Sequence, residues 1–248
     1  MNISKSRGSN GERFLKAFQR VEGYLRKRTK TKERTPFGKM LEEALKSDPI
    51  LRHYEKDLKT LKNLRNVLVH DTEGLLAEPT DKAVELMEKI AEHLLNPPLV
   101  EPDFFREVAT VAAQAPIAEA VNLMYEHDYS QVPVIQDGEV QALLTANTIA
   151  RWLGALVTEE IFSLSETPVR EVLRYAEESE TWECIPRNVT LFDVLERFER
   201  YEKVGKRLAA LLVTHGGKRT EKLLGIITPW DLVQVHQILA SRHIEGTP

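Results

Sequence analysis

A hydroxyl and a carboxylate stand three residues apart where an apolar stretch gives way to an amphipathic helix. They are Thr228 and Asp231, in the string Gly225-Ile226-Ile227-Thr228-Pro229-Trp230-Asp231-Leu232. Backbone N–H groups at a helix start attract phosphate, and the carboxylate can accept hydrogen bonds from a vicinal diol. The pair could therefore hold the ribose of a nucleotide. The same spacing also forms an ordinary helix N-terminal cap, so a purely structural role stays open.

A weaker form of this pattern occurs about eighty residues earlier, where Thr145 ends the run Ala142-Leu143-Leu144 and Thr148 stands at the carboxylate position. Apolar periodicity around both strings predicts the same order of strand, helix, two hairpin strands and helix. The predicted elements are 108–111, 116–125, 132–135, 140–144 and 149–156 in the first copy, and 184–185, 190–201, 208–213, 223–227 and 229–240 in the second. A segment of about eighty residues that occurs twice in succession indicates a tandem domain duplication.

The elements before the repeat are predicted to be helical. Phe14, Phe18, Val21 and Leu25 recur at spacings of four and three, which is typical of one face of an amphipathic helix. Three further helices are expected within 36–45, 50–68 and 81–95, followed by a stiff connector at Pro97-Pro98. The fold class is therefore α+β, with a four-helix bundle at 1–98 and the two copies of the repeat at 99–160 and 161–248.

Composition limits the class of protein. The 248 residues are 42% apolar and 29% charged, as in a globular protein, and Cys184 is the only cysteine, so an intramolecular disulfide is excluded. No apolar run reaches the roughly 18 residues that span a bilayer, and the polar start lacks a signal-peptide core. A cytoplasmic location is expected. Residues 1–70 carry 18 basic and 8 acidic side chains, whereas the remainder has a net charge of -14.

The duplicated unit, with Gly225 to Asp231 in one copy and Ser130 to Gly138 followed by Thr145 in the other, resembles a CBS-domain pair, or Bateman module. The resemblance covers about residues 100–240. It implies tandem β-α-β-β-α domains that bind an adenosine-containing ligand in the cleft between the copies and regulate an attached domain.

Site residues follow from this resemblance. Thr228 would bond ribose or phosphate, Asp231 would accept from the ribose hydroxyls, and the backbone around Ile185 would hold adenine. Lys206 and Arg207, which directly precede a predicted strand, would reach the phosphates.

The first copy would supply a second half-site around Thr145. Thr148 there replaces the carboxylate, and a hydroxyl cannot accept from two hydroxyls at once. We therefore expect this half-site to be weak or empty.

A second string, Leu64-Arg65-Asn66-Val67-Leu68-Val69-His70-Asp71, resembles the Arg-polar-x-x-x-His signature of HEPN domains, which are four-helix modules. If it is active, the resemblance implies metal-independent RNA cleavage in a dimer. His70 would then be the general acid or base, Arg65 would stabilise the phosphorane, and Asn66 would orient one of them. Arg65 and His70 can equally cap the helix or fix a dimer interface, and we expect that non-catalytic role.

The sequence thus predicts a homodimeric regulator that senses an adenine nucleotide and modulates its helical domain. No cofactor is expected. A metal site is not expected either, because the histidines are scattered. One alternative is a CBS-gated HEPN ribonuclease that binds RNA at the basic helical domain. The other is a structural dimer without a ligand. A membrane partner is not expected.

Overall fold

The computed structural model describes residues 9–32, 34–69, 78–157 and 163–241. The chain divides into two compact units whose segments alternate along the sequence. The first comprises Met1–Pro98, Thr190–Asp193 and Ile238–Pro248, and the second comprises Leu99–Val189 and Val194–Gln237. His70, the proposed HEPN histidine, lies outside the described residues.

The helices of the first unit are α1 (Asn10–Thr29), α2 (Phe37–Leu45), α3 (Pro49–His53), α4 (Glu55–Val69) and α5 (Asp81–Leu95). The Ser9 hydroxyl caps α1 by accepting from the Glu12 N–H, and Lys30 ends it in the left-handed conformation with φ 51°. The predicted stripe on α1 is confirmed, because all four of its apolar residues are buried. Among the described helices of this unit, α1 and α5 form the most extensive pairwise packing.

The helix expected over 50–68 is instead two helices, so the described part of the bundle has five helical segments rather than four. Tyr54 separates α3 from α4 because it leaves the helical conformation (φ -99°, ψ 12°). Its buried hydroxyl lies 2.8 Å from Nδ1 of His93 on α5. The Asp48 carboxylate fixes the start of α3 by accepting from the N–H groups of Ile50 and Leu51.

An aromatic cluster completes the first unit. The ring of Phe192, from the segment Thr190–Asp193, lies 5.1 Å from the His53 ring, 5.8 Å from the Tyr54 ring and 5.2 Å from the His93 ring. Phe192 is only 2% exposed. The first unit therefore includes a core residue from late in the sequence.

The second unit contains the duplicated fold. Its first copy consists of β1 (Val111–Ala112), α6 (Ile117–Glu126), β2 (Gln131–Gln136), β3 (Glu139–Thr145) and α7 (Ala146–Ala155), and a short helix α8 (Val169–Val172) follows. Strand β2 pairs in parallel with β1 and antiparallel with β3. The crossover through α6 gives the parallel pair, and the turn at Asp137-Gly138 gives the hairpin.

The second copy repeats this topology with β4 (Glu180–Pro186), α9 (Leu191–Lys203), β5 (Arg207–Thr214), β6 (Gly225–Ile227) and α10 (Leu232–Ser241). Strand β4 is longer than the predicted segment 184–185. The predicted tandem β-α-β-β-α arrangement is confirmed. Within the described part of the chain, no helix is both long and apolar enough to cross a bilayer.

The two copies share a core. Val140 and Leu143 of the first copy pack with Ala209, Ala210 and Leu212 of the second. The Gln131 side-chain amide donates to the Ala209 carbonyl at 2.9 Å, which joins the starts of β2 and β5. This packing brings strand ends from both copies to the same region, so the second unit can form a site from both.

Candidate functional site

The Thr228–Asp231 pair forms the rigid part of the site. A single 3-10 turn, Pro229–Asp231, follows β6, and its Asp231 carboxylate turns back toward the strand end. The Oδ2 atom of Asp231 accepts from the Thr228 N–H at 2.7 Å and from the Thr228 hydroxyl at 2.9 Å. The two residues therefore form the N-terminal cap that their spacing predicts. The cap also holds the Asp231 carboxylate in one orientation.

Arg106, which the sequence analysis missed, is the counter-ion of this carboxylate. Its Nη2 lies 3.1 Å from Oδ1 and 3.2 Å from Oδ2 of Asp231, and it also donates to the Ile226 carbonyl. Because the Arg106 side chain is 46% exposed, the ion pair stabilises the fold by at most about 1 kcal/mol. The guanidinium is thus held near the carboxylate without being trapped there.

Gly225 explains how Arg106 reaches the site. The segment before β1 crosses β6 so closely that a Cβ atom on Gly225 would lie 2.1 Å from the Phe104 carbonyl oxygen. The Arg106 N–H donates to the Leu224 carbonyl at 3.0 Å in the same crossing. The glycine of the Gly-x-x-Thr-x-x-Asp string is needed for this close backbone approach, which no other residue permits.

A cavity of about 550 Å³ opens beside these residues, within the range typical of small-molecule sites. The second copy supplies its wall at Ile226, Thr228, Trp230 and Asp231. The first copy supplies three short stretches, which are Arg106–Ala109, Asp128–Gln131 and Pro133. Trp230 is 84% exposed at the edge of the cavity. The cavity therefore lies in the cleft between the two copies.

The remaining predicted site residues are not among those that line this cavity. Ile185 is fully buried in β4, where it pairs with Val213 of β5. Lys206 and Arg207 lie at the start of β5, and the Arg207 guanidinium bonds the Glu180 carboxylate. Thr145 belongs to a separate cluster with Glu180. Of the six predicted residues, the structure brings only Thr228 and Asp231 together in the cavity.

The HEPN candidates are only partly described. The Arg65 guanidinium lies over the Phe18 ring, 5.8 Å from its centroid, and Asn66 is half-buried on the same helix. The helical domain is present, but nothing in its described residues confirms the HEPN resemblance. No group of three or more His, Cys, Asp or Glu side chains in the described ranges is arranged to hold a metal ion.

The chain is similar to several proteins of known structure. No curated protein sequence matches the chain. A solved structure from Vibrio cholerae, titled as a proposed acetoin utilization protein (AcuB), is 18% identical with a TM-score of 0.46, over 60% of this chain and 98% of that one. MJ1225 from Methanocaldococcus jannaschii, titled as a proposed archaeal homolog of g-AMPK, is 15% identical with a TM-score of 0.43, over 67% and 56% of the two chains.

A third similar structure is a hexameric CBS-CP12 protein from bloom-forming cyanobacteria. It is 17% identical with a TM-score of 0.40, and the similarity covers 61% of this chain and 77% of that one. The family model of the CBS domain matches residues 100–155 and again residues 179–237. These two matches coincide with the two copies of the repeated fold, so the second half of this chain contains a pair of CBS domains.

Proposed function

We propose that the CBS pair binds an adenosine-containing ligand in the cavity beside Thr228 and Asp231, and that this binding regulates the helical domain. The observation that carries the proposal is a carboxylate held in one orientation, with a displaceable arginine beside it, in a cleft of suitable volume. Asp231 is the ribose-binding group in this proposal, and Arg106 is the phosphate-binding group.

The hydrogen bonds of Asp231 are compatible with ribose binding. Its Oδ2 already accepts from both donors of Thr228 and from Arg106, whereas Oδ1 accepts from Arg106. A carboxylate offers about four acceptor sites, so Oδ1 has capacity for a ribose hydroxyl. When a second hydroxyl replaces the guanidinium, Asp231 keeps its bonds to Thr228, and Arg106 becomes available to a phosphate.

The charges around the cavity favour a ligand with little negative charge. Arg106 is the single basic residue among the described residues that line it, whereas Glu107, Asp128 and Asp231 are acidic. A triphosphate would bring about four negative charges toward three carboxylates, and like charges at close range repel. Adenosine monophosphate, or an adenosine derivative without phosphate, fits these charges better than ATP.

The apolar part of the cavity suits a nucleobase. Val108, Ala109, Pro133 and Ile226 contribute apolar surface, and Trp230 presents an exposed indole at the edge. Aromatic and aliphatic surfaces of this kind hold a flat base by stacking and by exclusion of water. Trp230 is therefore the residue on which we expect adenine to stack.

Regulation of the helical domain is supported by the path of the chain. Helix α10 begins at Leu232, directly after Asp231, and its last residues, from Ile238 onward, belong to the first unit. One helix thus leads covalently from the ligand-binding turn into the unit that contains the bundle. A ligand alters that unit only to the extent that it binds two arrangements of the protein with different affinity.

The remaining predictions from the sequence concern the HEPN resemblance, the homodimer and the cytoplasmic location, and they stay predictions. The ribonuclease alternative requires His70. If the purified protein cleaves RNA and the His70→Ala variant does not, the helical domain is an enzyme. Cleavage that survives the substitution would come from another source.

Thermal unfolding of the full chain with a panel of adenine and guanine compounds tests the proposal. A ligand at a hundred times its Kd stabilises the folded state by about 2.7 kcal/mol. For a protein of this size, that should raise the melting temperature by roughly 5–10 °C. We expect the increase with adenine compounds, and we expect it to disappear in Asp231→Ala.

Glu119→Ala is the matched control for this experiment. It also removes one exposed carboxylate from the second unit, but from the first turn of α6, and Glu119 is not among the residues that line the cavity. The control should keep the full increase. The absence of an increase with every adenine compound, or an equal increase in Asp231→Ala, would refute the proposal.

A further inference from the structure

We propose that the second half-site of the CBS pair is closed by the chain's own Glu180, so that each chain binds one ligand rather than two. This inference rests on the proposed function of the Asp231 cavity. It concerns the half-site of the first copy, where Thr145 and Thr148 stand in place of Thr228 and Asp231. The structure assigns Glu180 as a specificity-determining residue there, because its carboxylate takes the hydroxyl that a ligand would need.

The strand pairing gives the correspondence between the two half-sites. Val134 pairs with Ala142, three residues before Thr145, and Val213 pairs with Gly225, three residues before Thr228. The parallel partners of Val134 and Val213 are Val111 and Ile185.

Arg106 and Glu180 are equivalent positions under this correspondence, because Arg106 lies five residues before Val111 and Glu180 lies five residues before Ile185. Each contacts the Thr-x-x motif of the other copy. Arg106 bonds Asp231, and Glu180 bonds Thr145. The charge at this position is therefore opposite in the two half-sites.

Hydrogen bonds hold Glu180 in place. The Thr145 hydroxyl donates to Oε2 of Glu180 at 2.7 Å. That hydroxyl also accepts from the Thr148 N–H at 3.1 Å and lies 3.0 Å from the Thr148 hydroxyl. The other carboxylate oxygen, Oε1, accepts from the Arg207 guanidinium. The Thr145 and Thr148 hydroxyls and the Glu180 carboxylate, which are the groups that would bond a ribose here, thus already have partners within the protein.

Burial distinguishes this closure from the Arg106–Asp231 pair. The Glu180 side chain is 8% exposed, and Thr145 and Thr148 are both buried, whereas the Arg106 side chain is 46% exposed. A ligand at the first half-site displaces a solvated guanidinium that can then bind its phosphate. A ligand at the second would have to displace a buried carboxylate, which repels phosphate and would lose its bond to Thr145.

The same arrangement accounts for Arg207, which the sequence analysis assigned to phosphate. It lies at the start of β5, beside the Thr145 half-site and not among the residues that line the Asp231 cavity, and its guanidinium neutralises Glu180. Removal of Glu180 would release Arg207 as a cation beside Thr145. With a carboxylate restored at position 148, this half-site would then contain the same three groups as the first, namely a hydroxyl, a carboxylate and a guanidinium.

Calorimetric titration of the full chain with AMP tests the inference. We expect one AMP per chain for the wild type and for Glu178→Ala, a control that removes an exposed carboxylate two residues away. The double variant Thr148→Asp/Glu180→Ala should bind two. Two AMP per wild-type chain, or one per chain of a folded double variant, would overturn the inference.

A second measurement needs no ligand, so it separates the inference from the proposed function. The Thr148 amide is bonded to the Thr145 hydroxyl, which Glu180 orients. Loss of a hydrogen bond to a charged group should speed hydrogen exchange at this amide by about tenfold in Glu180→Ala relative to Glu178→Ala. If the wild type binds no AMP, the AMP form of the proposed function fails while this ratio still decides the closure. Equal exchange rates would refute the closure.

Discussion

Substitution of Gly225 by alanine should damage the fold and the site together. The added Cβ would lie 2.1 Å from the Phe104 carbonyl oxygen, whereas real Cβ atoms essentially never approach another atom within 3.0 Å. The segment that carries Phe104 and Arg106 must therefore move away from β6 by about 0.9 Å or more. Neither partner is a flexible side chain, because the clash is with backbone.

The displacement sets the expected magnitudes. Overpacking of this kind costs about 1–3 kcal/mol, which should lower the melting temperature by roughly 2–12 °C. Arg106 Nη2 lies only 3.1 Å from Oδ1 of Asp231, so a shift of this size carries it to the limit of an ion pair. The Arg106 N–H would also lose its bond to the Leu224 carbonyl. Gly225→Ala should accordingly bind the adenine ligand more weakly than its loss of stability alone explains.

Thermal unfolding with and without the ligand is the assay, and Gly154→Ala is the matched control. Gly154 lies exposed in α7 with open space around its Cβ position, so alanine there should leave the melting temperature unchanged or raise it slightly. A Gly225→Ala protein that melts and binds like the wild type would refute the role given to the close crossing of β6.

Three further outcomes follow from individual side chains. Trp230 is 84% exposed, so adenine that stacks on it should change the tryptophan emission, and Trp230→Phe should abolish that change; a change that persists would place the base elsewhere. Burial raises the pKa of the Cys184 thiol, so iodoacetamide at about pH 7.5 should modify it more slowly in the folded protein than in urea, and equal rates would contradict this. The Gly216 N–H, which donates to the Glu221 carboxylate, lowers the pKa of that carboxyl, and a lowered pKa stabilises the fold only above the carboxyl's unfolded pKa. Glu221→Gln should therefore lower the melting temperature at about pH 7, with a difference that shrinks as the pH falls through about 4; a constant difference would contradict the assignment.

The duplicated fold could be predicted from the sequence because its signals are local. Strands β2 and β3 are apolar runs separated by Asp137-Gly138. The same order of predicted elements occurs twice, so each copy supports the assignment of the other. The break at Tyr54 could not be predicted in the same way. No proline or glycine marks it, and the residues around it favour a continuous helix. The deciding contact is with His93, 39 residues away in the chain.

The same difference between local and distant contacts decided which parts of the site could be predicted. Thr228 and Asp231 are three residues apart, so their geometry follows from one turn. Arg106 is 125 residues from Asp231, and only the close crossing at Gly225 brings it there. Arg207 was the natural candidate for phosphate binding because it precedes a strand, yet its partner is set by the pairing of β4 with β5. Sequence motifs therefore identified the fixed carboxylate and missed its cation.

The burial of Phe192 limits how this protein can be dissected. The proline pair at 97–98 suggests a natural place to divide the gene and express the CBS pair alone. Such a fragment would keep Phe192 but lose the rings of His53, Tyr54 and His93 that cover it. Exposure of the Phe192 side chain would cost roughly 1.5–3 kcal/mol of the free energy of folding. It would also leave an exposed hydrophobic patch at the start of α9 that can bind other proteins non-specifically. Binding or assembly observed with a truncated protein would therefore report on that patch as much as on the native module.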